Sequence, residues 1–485
     1  MSSAAIHILV LAAYLATLFV IGLVSRRRAR SAAGFYLGER SIGAWVTAFS
    51  FVAAYYSSVV IIGGGGFGYK FGLATLWIGA TNVVVGTLLA WIVLGARTRQ
   101  MTGRLNAITM PEFFARRFSS PAARLISAVV VSVFLVIYSV SVVQGMGNAF
   151  EVLVGVRYVW GVLASALIII VYVALGGYVA VVWTGFLQGV IMIFGLVLLT
   201  VLTLTRVGGL SQGFSQLAAF DSGRYVTTPG IWGWPGLVSY ALIVSFGVWG
   251  MPQLITRFYS IKRARVLRLG TVLATAGGTI ALLPYFNGAL TRVLFPTLTA
   301  PDKAIPMLVQ AVMPPLASAI FLAAVIAAGM STFAAVLFVT VSSLVKDVVR
   351  DSFGARLEPR CEVALSRLVS VVIGLAAVGV ALNPPAMILI ITGFAWAVIA
   401  STTLWPYLLG LYWRRLNSAG VLAAMVSGSV TALVWMALKN PLKIHGFVPG
   451  LIVSLIVILL VTLLGPAPDP AVVRQAFGDI PNPGN

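Results

Sequence analysis

Long apolar runs separated by short polar segments dominate the sequence. A bilayer core about 30 Å thick requires ~20 apolar residues per helix, and about thirteen runs have roughly this length. They lie near residues 4–24, 43–69, 73–96, 124–149, 159–178, 180–205, 235–258, 269–292, 315–345, 367–383, 385–411, 418–438 and 446–465. The pattern predicts an all-α integral membrane protein with about thirteen transmembrane helices.

The second run is interrupted by four consecutive glycines, Gly63, Gly64, Gly65 and Gly66. Each glycine costs roughly 1 kcal/mol in a helix interior relative to alanine, so we expect the helix to unwind there. Unpaired backbone groups at membrane depth are tolerated only where they face protein or line a cavity. The neighbouring hydroxyls of Ser57 and Ser58 add neutral oxygens, which suit a small alkali cation or a polar solute.

A second interruption lies in the seventh run, where Gly250 and Pro252 weaken the helix. Five spans separate the start of one interrupted helix from the start of the other, and an odd number inverts the second unit in the membrane. Two interrupted helices at the start of two inverted units are typical of a transporter with its binding site at the bilayer midplane.

The predicted spans divide the chain into six parts. These are an extra N-terminal helix with its inner loop (1–30), a first five-helix repeat (43–205), an outer loop (206–234), a second inverted five-helix repeat (235–411), two C-terminal helices (412–465) and a disordered cytoplasmic tail (466–485). The outer loop is interpreted equally well as a lid over the vestibule or as an inert surface loop. We also expect a tight inner turn at 176–185 and a short amphipathic helix within 105–118.

Composition agrees with a membrane protein, and the distribution of its basic residues predicts its orientation in the membrane. The chain is 60% hydrophobic and 9% charged, with a mean hydropathy of +1.04 and a net charge of +21. The basic residues are scattered between spans, which argues against nucleic-acid binding. With the N-terminus outside, 24 of the 32 Lys and Arg residues fall on inner loops, as the positive-inside rule requires. We expect a multi-pass protein of the inner cell membrane with a cytoplasmic C-terminus.

Enzymatic chemistry has no support in the sequence. No Asp or Glu falls in the middle of a predicted span, and the two histidines, His7 and His445, lie near helix ends. The single cysteine, Cys361, lies in a predicted inner loop, so neither a disulfide nor a cysteine-based metal site is expected. Intramembrane proteases and carboxylate proton relays are therefore disfavoured.

Polar side chains recur on two of the remaining spans. Tyr138, Ser141, Gln144 and Asn148 share one face of the fourth span, and Ser331 with Thr332 lies in the middle of the ninth. Such residues either join helices or face a cavity. Gln144 favours the cavity because it is long and lies near mid-membrane.

Several separated motifs resemble the sodium:solute symporters. They are FYLGERSIGAW before the first interrupted helix, the glycine-rich GYKFGL segment after it, AAGMST in the ninth span and LWPYLLGLYWRR at the end of the eleventh. The pantothenate and proline symporter branch is the most similar. The resemblance implies a LeuT-type fold with two inverted five-helix repeats, one helix before them and two after.

The same resemblance implies a sodium site and a solute site. The sodium ligands would be the carbonyls of Ala53, Tyr56 and Ala328 with the hydroxyls of Ser331 and Thr332. The solute cavity between the two breaks would be lined by Ser57, Ser58, Asn82, Gln144, Trp249, Gln253 and Phe394. Gly185 stands where the family usually has an aspartate after a Trp-Thr pair, which puts a second sodium ion in doubt.

The expected function is sodium-coupled symport of a small organic solute by alternating access, with pantothenate, another monocarboxylate, proline or a similar amino acid as solute. Sodium would be the coupling ion, no organic cofactor is expected, and membrane lipid would be a partner. Gly185 motivates one alternative, a proton-coupled or uncoupled transporter of the same fold. A transporter-like sensor domain is the alternative from another class. Identity of the solute, ion stoichiometry and oligomeric state are left open.

Overall fold

The computed structural model describes residues 3–26, 43–261, 265–355 and 358–478, and within them every regular element is helical. The α-helices are α1 (Ser3–Arg26), α2 (Ala44–Tyr55), α3 (Gly65–Phe71), α4 (Leu76–Thr81), α5 (Ala96–Arg104), α6 (Met110–Phe118), α7 (Pro121–Val154), α8 (Tyr158–Val207), α9 (Leu210–Ala218), α10 (Gly233–Ser245), α11 (Pro252–Tyr259), α12 (Arg265–Gly278), α13 (Leu282–Leu294), α14 (Ala304–Val312), α15 (Pro315–Ser342), α16 (Pro359–Ala381), α17 (Ile388–Tyr412), α18 (Ser418–Ala437), α19 (Phe447–Leu464) and α20 (Pro470–Phe477).

Shorter helical segments connect or extend these helices. π-Helical segments cover Val59–Gly64, Asn82–Leu89, Trp91–Gly95 and Ser343–Arg350, and 3-10 turns cover Gly72–Thr75, Asp221–Gly223, Gly247–Gly250, Thr279–Ala281, Pro301–Lys303 and Pro441–Lys443. Nine helices of the described chain are long and apolar enough to cross a membrane, or ten if one bent pair is a single span. This number does not establish the predicted thirteen.

The first interrupted span breaks earlier than predicted. Helix α2 ends at Tyr55, Tyr56 is non-helical (φ −92°, ψ 68°), and helical geometry resumes after Ser57. The Ser57 hydroxyl accepts a hydrogen bond from the Val59 amide at 3.2 Å and so caps the new start. The prediction that Gly63, Gly64, Gly65 and Gly66 form the break is wrong, because all four lie within continuous helix.

Close packing explains the four glycines. A Cβ on Gly65 would lie 2.0 Å from the Ile305 side chain, and one on Gly66 would lie 2.6 Å from Asp302 Oδ1. Across the contact, a Cβ on Gly288 would lie 2.0 Å from the Gly65 carbonyl oxygen. The glycines therefore let α13, the 3-10 turn Pro301–Lys303 and the start of α14 approach the backbone of this span, a role that glycine often has between membrane helices.

The second interrupted span has its break between Gly250 and Pro252. A 3-10 turn over Gly247–Gly250 is followed by Met251 in extended conformation (φ −86°, ψ 109°), and Pro252 starts α11. Proline suits this position because the first helical amide has no partner within the helix. The two halves are bent by 41°.

The tight turn expected at 176–185 is wrong. Helix α8 runs without a break from Tyr158 to Val207. This stretch contains no proline, and its glycines each cost only about 1 kcal/mol, so local sequence does not force the helix to stop.

The C-terminal tail is also more ordered than expected. Residues Pro470–Phe477 form α20, whose start is capped by the Asp469 side chain, and Ala476 is fully buried. Arg104 donates a hydrogen bond to the Phe477 carbonyl at 2.6 Å. The prediction of disorder over the whole of 466–485 is therefore wrong for this helix, since proline at a helix start does not oppose helix formation.

Two connecting segments pack firmly on the helix bundle. The predicted amphipathic helix within 105–118 is confirmed as α6, and Phe113 packs on Tyr407 with ring centroids 4.8 Å apart. In the outer loop, Trp232 stacks on Phe71 at 4.3 Å, and the Tyr225 carbonyl accepts the Leu73 amide at 2.8 Å. The segment 206–234, predicted as the outer loop, thus lies against the C-terminal end of the first interrupted span.

Candidate functional site

The break after α2 frees two backbone carbonyls. In a continuous helix, the carbonyls of Ala53 and Ala54 would accept the amides four residues later, but the helix ends first. They accept hydroxyl groups of α15 instead. Ser331 Oγ donates to the Ala53 oxygen at 2.8 Å, and Thr332 Oγ1 donates to the Ala54 oxygen at 3.0 Å.

These contacts collect neutral oxygens in one buried place. Ser331 Oγ also lies 2.9 Å from the Ala328 carbonyl oxygen, and Ser331 and Thr332 are 3% and 0% exposed. Among the five predicted sodium ligands, the Ser331 hydroxyl contacts the carbonyls of both Ala53 and Ala328. The Thr332 hydroxyl contacts the next carbonyl, that of Ala54, and Tyr56 is the non-helical residue at the break. Hard cations prefer such oxygen ligands.

Aromatic side chains join the first break to its neighbours. Tyr55 stacks on Tyr56 at 4.5 Å and on Trp396 of α17 at 6.3 Å, and Trp396 contacts Tyr138 of α7 at 5.6 Å. The Tyr55 hydroxyl donates to Asn82 Oδ1 at 2.8 Å and also contacts a carbonyl of α10. One residue beside the break thus contacts both interrupted spans.

The predicted solute residues lie on the elements around these breaks. Ser58 donates to the Val142 carbonyl at 3.0 Å, Gln144 to the Ala386 carbonyl at 3.2 Å, and Trp249 to the Val85 carbonyl at 3.0 Å. Ser57, Asn82 and Gln253 are also buried. Several buried polar atoms beside the breaks have no hydrogen-bond partner, namely Asn82 Nδ2, Gln144 Oε1, Gln253 Oε1, Tyr285 Oη and Trp396 Nε1.

Phe394 is placed differently from the other predicted solute residues. It packs on Phe134 of α7 at 5.8 Å and is only partly buried, whereas Trp396 contacts the aromatic residues of the break. Two residues along a helix are separated by about 200°, so 394 and 396 face nearly opposite ways. The Thr392 hydroxyl, one turn before Trp396, contacts Ser141 Oγ at 2.9 Å. Because Trp396 lies one turn after Thr392, the helical spacing of α17 would have indicated Trp396, and not Phe394, as the aromatic residue on the face toward Ser141.

Gly185 lies on α8 directly against α2. A Cβ at this position would be 3.1 Å from Ser50 Oγ, a fully buried hydroxyl that has no hydrogen-bond partner. A side chain with an oxygen at position 185 would meet this hydroxyl.

Comparison with known proteins identifies the family. The model of the sodium:solute symporter family matches residues 35–428. The chain belongs to the sodium:solute symporter family. The predicted function, sodium-coupled symport of a small organic solute, is thereby confirmed at the level of the family, and sodium is the coupling ion.

Relatives of this symporter align over nearly its whole length. The osmoregulated proline transporter OpuE of Bacillus subtilis is 31% identical over 456 residues, with 92% of each chain covered. The sodium/pantothenate symporter of Haemophilus influenzae is 31% identical over 461 residues, covering 92% of this chain and 93% of the relative. The sodium/proline symporter of Staphylococcus aureus is 32% identical over 465 residues, covering 92% and 90%.

Solved structures confirm the LeuT-type fold. The substrate-bound outward-open state of a Na+-coupled sialic acid symporter has a TM-score of 0.81 at 18% identity and covers 96% of this symporter and 98% of that chain. MhsT in complex with L-phenylalanine has a TM-score of 0.56 at 16% identity and covers 90% and 98%. The architecture expected from the two interrupted helices is therefore confirmed, although the count of thirteen spans is not.

Proposed function

We propose that this symporter couples inward movement of sodium to uptake of a small solute that carries a carboxylate, such as proline, a similar amino acid or pantothenate. The observation that carries the proposal is the pair of hydroxyls on α15 that reach the carbonyls freed by the break in α2. Sodium would bind between the Ala53 and Ala328 carbonyls and the hydroxyls of Ser331 and Thr332. Unwound backbone carbonyls take this role in transporters of this architecture.

The solute would bind beside this ion, between the two breaks. Asn82 Nδ2 would supply an unpaired donor, and Gln144 Oε1 and Gln253 Oε1 would supply unpaired acceptors. Tyr55 with Trp396 would supply an apolar wall for an aliphatic body. Arg257 lies one turn after Gln253 on α11 and is 2% exposed. A buried guanidinium near the inner side of the site favours a solute with a carboxylate over a cationic one.

Sodium would order the break and thereby raise solute affinity. Binding to the hydroxyls and carbonyls holds α2 against α15, and Tyr55 links this region to Asn82 and α10. By linkage, the solute must raise sodium affinity by the same factor. One inward charge at 100 mV contributes ~2.3 kcal/mol to uptake, before any concentration gradient.

Uptake into proteoliposomes tests the proposal. Labelled proline and pantothenate would be offered with an inward sodium gradient, or with choline in its place. Each hydroxyl contact with a charged group contributes about 1.5–3 kcal/mol, so Ser331→Ala and Thr332→Ala should each raise the sodium concentration at half-maximal uptake at least about tenfold.

Thr340→Ala is the matched control, because this buried α15 hydroxyl bonds to the Val336 carbonyl of its own helix. It should leave sodium dependence unchanged. Uptake that proceeds equally in choline, or a Ser331→Ala/Thr332→Ala double variant with unaltered sodium dependence, would overturn the site. The proton-coupled or uncoupled alternative suggested by Gly185 would then take its place.

We further propose that the protein lies in the inner cell membrane with its N-terminus outside and its C-terminus in the cytoplasm. The excess of Lys and Arg on alternate loops supports this orientation. Labelling of Cys361, an exposed free thiol on the proposed inner face, tests it. A membrane-impermeant maleimide should label this thiol in inverted vesicles and not in intact cells, and the reverse result would refute the orientation.

A further inference from the structure

A cleft of about 580 Å³ lies between the tail helix α20 and the loop that joins α17 to α18. It is lined by Arg414, Arg415, Ala467, Pro468, Pro470, Val473, Arg474 and Gly478. Among these lining residues three are arginines and none is acidic. We propose that this cleft binds the phosphate group of an anionic phospholipid at the face where the C-terminus lies.

The arginines around the cleft are held by contacts that leave their charge uncompensated. Arg415 donates to the Leu463 carbonyl at 3.1 Å, and the Arg414 guanidinium lies 5.3 Å from the Phe477 ring centroid. No ion pair of Arg414, Arg415 or Arg474 is found within the described part of the chain. Among the described residues, the carboxylate nearest to Arg474 in sequence is Asp469, which accepts the Ala471 amide at 2.7 Å as the cap of α20.

Two further arginines increase the positive potential behind the cleft. Arg117 is fully buried, its guanidinium carbon lies 4.9 Å from the centroid of the Phe477 ring, and its NH1 group has no hydrogen-bond partner. Arg104 approaches Gly478, where a Cβ would be 3.5 Å from its guanidinium. Burial lowers the pKa of Arg117 to about 10, which leaves this side chain charged at neutral pH. Several guanidinium groups around one opening favour a phosphate, which they bind with planar geometry.

An apolar strip beside the cleft favours a lipid over free phosphate. Ile456, Leu460 and Leu463 follow one face of α19 and are 50%, 52% and 56% exposed, and Leu464 at the end of the helix is 86% exposed. The chain continues from there into the cleft at Ala467. Acyl chains would lie along the strip while the phosphate reaches the arginines, an arrangement known for basic pockets between membrane helices.

The leaflet that supplies the lipid depends on the membrane orientation proposed above. Binding of the lipid to the cleft does not depend on that orientation. The test uses the full chain in detergent with choline chloride, without sodium or solute, so its result is independent of the transport proposal. Unfolding midpoints would be followed as phosphatidylglycerol or phosphatidylcholine is added. Ligand binding to the folded state raises the midpoint by mass action, so phosphatidylglycerol should raise it and phosphatidylcholine should not.

Arginine variants locate the site. Each basic residue near a membrane surface contributes ~1 kcal/mol to binding an anionic lipid, so Arg414→Gln with Arg474→Gln should weaken phosphatidylglycerol binding about 25-fold. The single variant Arg474→Gln, on the exposed side of α20, should weaken it about fivefold with little risk to folding. Arg360→Gln is the matched control, since Arg360 is exposed at the start of α16 and does not line the cleft.

Three results would overturn the proposal. Equal stabilisation by both lipids would remove the need for an anionic headgroup, and unchanged phosphatidylglycerol binding in both arginine variants would place it elsewhere. Stabilisation by inorganic phosphate that matches phosphatidylglycerol, and that is lost in Arg474→Gln, would assign the cleft to a soluble anion instead of a lipid.

Discussion

Replacement of Gly68 by alanine tests whether the glycine-rich span is packed helix or broken backbone. Gly68 lies in α3, and a Cβ there would lie 2.1 Å from the Tyr285 carbonyl oxygen and 3.0 Å from the Ala289 amide nitrogen of α13. These are backbone atoms, so no rotation of a side chain removes the clash. Helix α13 or α3 would have to move.

The expected cost follows from two opposing terms. Overpacking in a close-packed interior costs about 1–3 kcal/mol, while alanine in place of glycine stabilises a helix by up to about 1 kcal/mol. We therefore expect Gly68→Ala to destabilise the protein by about 1–2 kcal/mol. Gly379→Ala is the matched control, because a Cβ at that exposed position of α16 has no neighbour within 4 Å, and it should be neutral or slightly stabilising.

Unfolding midpoints measured by tryptophan fluorescence in the same detergent compare the two variants directly. Gly68→Ala should unfold at a clearly lower temperature than the wild type, and Gly379→Ala should not. If Gly68→Ala had the same unfolding midpoint as Gly379→Ala, the close approach of α3 and α13 would be refuted. A break at the glycines themselves would then be the better explanation of their presence.

Three other substitutions have defined outcomes. Lys346→Met leaves the buried Glu112 carboxylate with the Arg116 guanidinium and the Ile108 amide as partners and should lower the unfolding free energy by about 3 kcal/mol. Adding Glu112→Gln should restore part of this loss, and a failure to do so would refute the ion pair. Burial raises the pKa of Asp302 to about 7 from an ordinary 3.8, so the folded state retains a proton that the unfolded chain releases. Stability should therefore fall as pH rises from about 4 to about 7, and Asp302→Asn, measured by unfolding midpoints across this range, should remove that part of the slope. Trp396→Leu removes the ring contacts with Tyr55 and Tyr138, each worth about 0.5–1.5 kcal/mol, and should lower the unfolding free energy by about 1–3 kcal/mol. Because this ring also forms the proposed wall of the solute site, the variant should raise the solute concentration at half-maximal uptake, whereas a comparable effect of Phe394→Leu on uptake would contradict the placement of these rings.

Hydrophobic spacing was sufficient to predict the fold class but not the position of the first break. The glycines at 63–66 carry the strongest local signal for unwinding, yet helical geometry costs each of them only about 1 kcal/mol. Contacts with Tyr285 and Ile305 in the folded protein offset that cost. Both partners lie far away in the sequence, so the residue pattern within the span does not indicate them. The break lies at Tyr56 instead, where partners from α15 receive the freed carbonyls.

The predictions for the C-terminal tail and for Phe394 also failed because they depend on contacts between separate parts of the chain. Proline and glycine around Pro470 suggested a disordered tail, but Phe477 holds α20 in place through contacts with the guanidinium groups of Arg117 and Arg414. In sequence, Arg117 is about 360 residues and Arg414 about 60 residues away from Phe477. The family resemblance implied Phe394, whereas the phase of the helix relative to Ser141 places Trp396 against the aromatic residues of the break.

The break and the hydroxyls of α15 depend on each other. Without Ser331 and Thr332, two carbonyls at Ala53 and Ala54 would be buried without partners, a penalty of about 1–3 kcal/mol for each group. A continuous α2 would avoid that penalty by making its own hydrogen bonds. Hydroxyls that donate to these carbonyls therefore stabilise the interrupted helix, and they leave oxygen lone pairs in place for a cation. The hydroxyls that stabilise the break are also ligands of the proposed sodium site, so Ser331→Ala with Thr332→Ala should both weaken sodium binding and favour a more continuous helix. Hydrogen exchange of the amides at 57 and 58 would detect this: protection should rise in the double variant, and unchanged exchange would separate the two roles.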